Sequence, residues 1–201
     1  MSPLVVIPAA GASSRMRGRD KLLEPVEGEA LLCRQTKAAL ASGCPVMVCL
    51  PAGANARQAA IADLDVTQVQ VKDAAEGLGA TLRTAALMAG RHAPDRAMMI
   101  LLPDVPGIDV FDIKSVITRF ETEGGDTPVR ATDETGKPGT PLIVPVRLIP
   151  DFTKLNGDEG GRSVLRHETV LSVEISGNRA TRDLDTPEDW AAWRETSGLK
   201  T

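Results

Sequence analysis

The sequence predicts an α/β fold: a mostly parallel, mixed sheet with helices on both faces. Two observations predict it. Short apolar runs of strand length alternate with segments of helical periodicity up to Gly124, the pattern that βαβ units leave in a sequence. Beyond Gly124, glycines and prolines become frequent through Pro150, and the alternation gives way to loops and short strands.

The elements follow in order. Residues 4–8 (LVVIP) are an apolar run of the kind a buried parallel strand needs. Residues 29–42 read as a helix stopped by Gly43. Residues 46–50 give a second strand, 54–63 a helix, and 66–71 an alternating third strand. Leu78, Leu82, Ala85, Ala86 and Ala89 recur at helical spacing, which places a helix over 79–89. Residues 98–102 form a fourth apolar strand. Val110, Ile113, Val116, Ile117 and Phe120 share one face of a helix whose N-cap is Asp109. Strands are expected over 142–144 and 170–175. Thr186-Pro187-Glu188-Asp189 starts the last helix: Thr as N-cap, Pro at the first helical position, acids in the first turn. Residues 1–201 read as one domain, with about 125–161 an elaboration on the main sheet.

Composition narrows the function. The apolar share of 42 % and charged share of 25 % suit a globular chain. The core must be aliphatic, since there are three Phe, two Trp and no Tyr. A net charge of −4 and few aromatics argue against nucleic acid as a partner. Cys33, Cys44 and Cys49 form no CxxC, so they read as thiols of a reducing cytoplasm. The start of the chain is not a signal peptide, and no apolar stretch is long enough to span a bilayer. His92 and His167 lie in no metal-ligand spacing, and no Ser-His-Asp or Cys-His system is readable. Chemistry that relies on positioning and charge neutralisation fits better, as in phosphoryl and nucleotidyl transfer.

Ligands of open parallel sheets sit beyond the carboxyl ends of the strands, and three features fall there. After the first strand comes Ala9-Ala10-Gly11-Ala12-Ser13-Ser14-Arg15-Met16, with Lys21 beyond it. Small residues admit a ligand close to the backbone, and the cations suit phosphates. The segment is neither a P-loop nor a GxGxxG fingerprint, and on its own it reads equally as a plain turn with solvated basic residues. Asp104 follows the fourth strand, where a carboxylate can hold Mg²⁺ on substrate phosphates, or simply open a turn. Asp183 and Asp185 flank Leu184 before the last helix; they complete a metal site with Asp104, or sit as surface acids favoured by the helix dipole. A fourth segment, Gly77-Leu78-Gly79-Ala80-Thr81, offers backbone and hydroxyl groups to a base or ribose, or is an ordinary glycine-rich helix start.

Taken together, these segments resemble the MobA-like nucleotidyltransferases, nearest to the molybdenum cofactor cytidylyltransferases, over nearly the whole chain. The resemblance rests on Ala9-Ala10-Gly11-x-Ser13-x-Arg15-Met16 with Lys21, on Gly77 to Leu82, and on Leu101 to Pro106. It continues through Gly136 to Pro141, Gly157 to Arg162 and Asp183 to Asp189, in that order. It implies a Rossmann-like, doubly wound fold of the nucleotide-diphospho-sugar transferase type. Ala9, Ala10, Gly11, Gly77, Gly79 and Thr81 would then line the nucleotide. Arg15 and Lys21 would hold the triphosphate as catalytic cations, and Asp104 and Asp185 would bind Mg²⁺ or Mn²⁺. Gly139, Thr140, Asp158 and Arg162 would lie toward the acceptor. Ala at position 10 goes with cytosine rather than guanine, so the resemblance implies CTP. The chain departs from the family pattern at Pro8, at Pro103, in one extra residue near Arg17-Gly18, and at Thr140, where the branch usually has His.

The expected reaction is Mg²⁺-dependent transfer of CMP from CTP to a phosphorylated small molecule, molybdopterin by resemblance, with release of pyrophosphate. Two alternatives stand beside it. One is cytidylyl transfer to methylerythritol 4-phosphate. The other is a non-catalytic nucleotide-binding chaperone that serves a molybdenum enzyme.

Overall fold

Strand β1 (Leu4–Pro8) is buried along its whole length because it runs down the middle of a seven-stranded sheet. The computed structural model describes residues 1–157 and 159–197; Asp158, one of the expected acceptor-side residues, lies outside them. Strands β2 (Pro25–Val26) and β3 (Glu29–Ala30) form a small antiparallel hairpin ahead of helix α1 (Leu31–Ala41). There follow β4 (Val46–Pro51), α2 (Asn55–Ala60), β5 (Thr67–Val71), α3 (Leu78–His92), β6 (Met98–Ile100) and α4 (Val110–Thr122). The second half contributes β7 (Val129–Thr132), β8 (Pro138–Val144), α5 (Ile149–Phe152), α6 (Gly161–Val164), β9 (Leu171–Glu174) and α7 (Pro187–Ser197).

The strand order is β5-β4-β1-β6-β8-β7-β9. β8 alone runs antiparallel to its neighbours β6 and β7. The sheet is therefore mixed and mostly parallel, as the alternation predicted. Side chains on β1 alternate between two cores. Val5 and Ile7 pack with Leu32 of α1 and with Ile113, Val116 and Phe120 of α4. Leu4 and Val6 pack on the other face with Leu82, Ala85 and Ala86 of α3 and Phe152 of α5. The period of two along the strand is what sends neighbours to opposite faces. Of the five positions expected on one face of α4, Ile113, Val116, Ile117 and Phe120 are buried and Val110 at the first turn is partly exposed; Asp109 caps the helix in a reciprocal box with Asp112.

Several boundaries differ from expectation. The helix expected from residue 29 begins at Leu31, because Glu29 and Ala30 pair with β2. The helix expected over 54–63 stops at Ala60. β6 ends at Ile100 rather than 102, since the Leu102 N–H donates to the Thr140 hydroxyl instead of a sheet partner. β8 starts four residues before the expected strand, and β7 was not expected at all. Polar Arg130 and Thr132 interrupt β7's apolar pattern. Both strands extend the main sheet.

Two glycines allow close backbone approach. A Cβ on Gly139 would lie 2.1 Å from the Ala180 carbonyl oxygen, whereas a Cβ on Gly11 would meet nothing within 4 Å. Backbone atoms held in a sheet junction do not give way. Gly139→Ala is therefore expected to lower unfolding free energy by about 2–3 kcal/mol. Gly11→Ala should leave the urea midpoint close to native, and equal midpoints for the two variants would contradict this packing.

Candidate active site

β1 and β6 lie side by side, but the chain leaves them toward different edges of the sheet. The loops that follow diverge, and a cleft opens between them. It has a volume of about 530 Å³ and is bordered by Gly11, Arg15, Lys21, Gly77, Thr81 and Asp104, among others. The side chains of Ala9 and Ala10 turn away into the two opposite cores, so Gly11 is the first loop residue beside the cleft.

The first loop is bent into left-handed conformations at Ser13 (φ 51°), Arg17 (φ 53°) and Gly18 (φ 88°). The last two turn the chain between Arg15 and Lys21. Left-handed conformations at non-glycine residues cost energy and persist only where the surroundings fix them. Here the fixing group is Arg57, a buried residue on α2. Its guanidinium donates to both oxygens of Asp20, at 2.6 and 2.8 Å, and to the Ala9 carbonyl at 2.7 Å. It also reaches the Ser13 hydroxyl, which accepts the Lys21 N–H and donates to Asp20. Asp20 in turn accepts the Leu22 N–H, which caps the 3₁₀ turn carrying Lys21. Although partial burial works the other way, Arg57 and these hydrogen bonds hold the Asp20 carboxyl below its ordinary range. Met16 pins the far side of the loop into a cluster of Val26, Leu31, Leu184, Trp190 and Trp193.

The same cluster fixes the acids. The Leu184 N–H donates to the Asp104 carbonyl at 3.0 Å, which sets Asp185 beside Asp104 despite 80 residues of intervening sequence. Thr186 and Asp189 form a reciprocal cap on α7, and Asp189 also accepts the Asp185 N–H. The ammonium of Lys21 then donates to Asp104 Oδ2 and to Asp185 Oδ1, both at 2.6 Å. Arg15, largely exposed, reaches Asp185 Oδ2 at 2.8 Å. Burial alone would lower the Lys21 pKa; the two carboxylates outweigh it and hold the ammonium above its ordinary range. The other oxygen of Asp104, Oδ1, is buried and has no hydrogen-bond partner among the described residues. Asp183 borders the cleft too, and burial followed by the nearby carboxylates pushes its carboxyl up against a backbone hydrogen bond.

The remaining expected residues divide. Gly77 (φ 109°) and Thr81 line the cleft. Gly79 is buried, its N–H donating to the Gly157 carbonyl at 2.8 Å; a Cβ there would collide with backbone at 2.7 Å. Its visible role is packing α3 against residues 156–157. The Thr140 hydroxyl ties β8 to the end of β6, accepting from Leu102 and donating to the Ile100 carbonyl. Gly139, Thr140 and Arg162 border a neighbouring channel instead of this cleft. Arg57 and Asp20 were not found from the sequence, where each looks like one more surface charge. The three free thiols offer no nucleophile: burial pushes Cys49 up to about 12, and raises Cys33 and Cys44 as well.

Comparison with known proteins agrees with this geometry. The description "MobA-like NTP transferase domain" matches residues 5–173, and the chain belongs to that family. It is a nucleotidyltransferase of the MobA-like type. Nicotine blue oxidoreductase of Paenarthrobacter nicotinovorans is 27 % identical over 193 residues, covering 91 % of this chain and 92 % of that protein. Rv0371c of Mycobacterium tuberculosis H37Rv superposes with a TM-score of 0.82 at 24 % identity, covering 98 % of this chain and 100 % of that one. The manganese complex of Rv0371c gives 0.79 at 22 % identity with the same coverage. A CMP:2-keto-3-deoxy-manno-octonic acid synthetase bound to CTP gives 0.76 at 13 % identity, covering 98 % and 99 %. These solved structures speak to the fold. Among the described residues no helix is long and apolar enough to cross a membrane.

Removing Arg57 would leave Asp20 unpaired and the loop unbraced. Arg57→Ala is expected to cost about 3 kcal/mol, the low end for breaking a buried ion pair, since Asp20 is partly exposed. Arg57→Lys should recover little, because a single ammonium does not reproduce the fork. Chemical denaturation of both variants checks this; a lysine variant of native stability would refute it.

Proposed function

We propose that the chain transfers CMP from CTP to a phosphorylated small molecule, a molybdopterin-like acceptor by resemblance, in a reaction that requires Mg²⁺ or Mn²⁺ and takes place in the cytoplasm. The observation that carries the reading is one ammonium, Lys21, shared by Asp104 and Asp185 in a cleft that Arg15 also enters. Ala10 supports cytosine through the family resemblance. The CTP complex of the synthetase and the manganese complex of Rv0371c support a nucleotide and a divalent cation in this fold.

The residues present fit such a cation. Asp104 keeps a buried oxygen without a partner, and Asp185 stands beside it. Among the described residues no group of three or more His, Cys, Asp or Glu could hold a metal. That suits Mg²⁺, which commonly takes one or two carboxylates and completes its shell with substrate phosphate and water. When bound, the cation supplies charge neutralisation at the α-phosphate. Lys21 and Arg15 bind and orient the triphosphate. A terminal phosphate oxygen of the acceptor forms a bond to the α-phosphorus in line. The bond from that phosphorus to the bridging oxygen breaks, and pyrophosphate leaves with the electron pair. Because the attacking phosphate oxygen is already ionised, no general base is required. Lys21 and Arg15 offset the charge that builds on the transferring and leaving groups.

A second reading has one observation behind it, the identity with a relative named as an oxidoreductase. Under it, the cleft would bind a redox substrate instead of a nucleoside triphosphate. Absence of both pyrophosphate release and stabilisation by any nucleoside triphosphate with Mg²⁺ would favour that reading over transfer.

Asp104→Asn should keep the native melting temperature within a few degrees and abolish pyrophosphate release from CTP. Lys21→Met should lower turnover by roughly 10²-fold or more. In a thermal-shift panel of CTP, GTP, ATP and UTP with Mg²⁺, CTP is expected to stabilise the native chain most, by mass action. Near-native turnover in Asp104→Asn would remove the metal role, and a larger shift with GTP would remove the cytosine assignment.

A further inference from the structure

Three of the chain's sixteen arginines converge on a second cavity that the transfer site does not use. The cavity has a volume of about 820 Å³ and is bordered by Arg130 on β7, Arg162 on α6 and Arg166 just beyond it. Most of the other arginines are tied to carboxylates. No described residue accepts a hydrogen bond or forms an ion pair with any of these three. The Arg130 Nε is buried and has no partner. Burial, then the charge of Arg162, work against the Arg130 guanidinium and lower its pKa. Glu159 is the one carboxylate among the described residues that border the cavity, and one of its oxygens accepts the Asn156 N–H. Three like charges against one carboxylate leave an excess of positive charge, which an anion would relieve. The Thr132 and Ser172 side chains border the cavity as further polar groups.

A smaller pocket lies between this cavity and the transfer cleft. This pocket, of about 240 Å³ and mostly apolar, shares Arg130, Pro138, Gly160 and Arg162 with the arginine cavity. It shares Leu78 and Leu102 with the cleft. Leu82, Ile100 and Leu142 line its middle. The three pockets therefore adjoin through shared walls, in the order transfer cleft, apolar pocket, arginine cavity.

We infer that Arg130, Arg162 and Arg166 form an anion subsite for the acceptor, which carries a phosphate-like group separated by an apolar body from the oxygen that receives the nucleotide. This deepens the transfer reading and rests on it for the word acceptor; the anion site itself does not depend on that reading. Guanidinium pairs suit phosphate because each presents a planar fork of donors. A dianionic phosphate gains more from three such groups than a monocarboxylate does.

The test titrates inorganic phosphate, and acetate in a parallel arm, into the full chain, read by calorimetry. Arg162 and Arg166 are exposed, so Arg162→Ala and Arg166→Ala should fold normally. Each is expected to weaken phosphate binding at least about tenfold, as loss of a charge-assisted contact does. Lys21→Ala should retain the phosphate binding that Arg162→Ala and Arg166→Ala weaken, and acetate should bind more weakly than phosphate to the native chain. Phosphate binding that survives in both arginine variants and is lost in Lys21→Ala would assign the anion to the transfer cleft and overturn the subsite. So would native protein that binds no phosphate. The transfer reading fails separately, through absence of pyrophosphate release and of stabilisation by nucleotide with Mg²⁺.

Discussion

Two carboxylates facing one another across a cleft repel unless a cation lies between them. In this chain the cation is the Lys21 ammonium, bonded to Asp104 and Asp185 at equal distances. Much of the surrounding structure can be traced to the need to bring those three side chains to one point. Lys21 comes from the loop after β1, Asp104 from the loop after β6, and Asp185 from the approach to α7. Parallel strands deliver the first two to the same end of the sheet. The third arrives because the Leu184 amide bonds the Asp104 carbonyl, and because Leu184 shares a hydrophobic cluster with Met16 and two tryptophans.

Rigidity at this point is built from charge as much as from packing. The first loop holds an unfavourable conformation at Ser13, and Arg57 anchors it through Asp20, the Ser13 hydroxyl and the Ala9 carbonyl. Arg57 sits on α2, a short helix with no direct part in the cleft. The consequence is a division of labour: Arg57 is fixed and buried, Lys21 is fixed and half-buried, and Arg15 stays mostly exposed. A half-buried ammonium beside an exposed guanidinium puts one fixed and one solvent-facing cation on the same carboxylate.

The sheet also separates two sets of lining residues. The loop after β1 and the start of α3 border the cleft with Lys21 and Asp104. β7 and β8 extend the sheet beyond β6 and carry Arg130 to the second cavity and Thr140 to the smaller pocket beside it. Thr140 commits its hydroxyl to the β6–β8 junction, and the cations that border the second cavity are Arg130, Arg162 and Arg166.

Much of this was legible without coordinates. The apolar runs of β1, β4 and β6 and the helical spacing in α3 and α4 are local patterns, and Asp109 and Thr186 are caps whose signals lie within four residues. The small-residue loop with Arg15 and Lys21, and the acids at 104 and 185, were visible as motifs because each fits a short span of chain. What the sequence did not disclose shares one physical cause. Arg57, Asp20, Arg130 and Arg166 look like ordinary surface charges, because a charged residue's burial and partners depend on segments far away in the chain. The short strand β7 was missed for a related reason, since its Arg130 and Thr132 face a cavity and not an apolar core. Sequence alone determined the fold class and the residue types that chemistry would need. Only the tertiary structure decided which charges are held together and which are left without a partner, because that balance is set by long-range contact and desolvation.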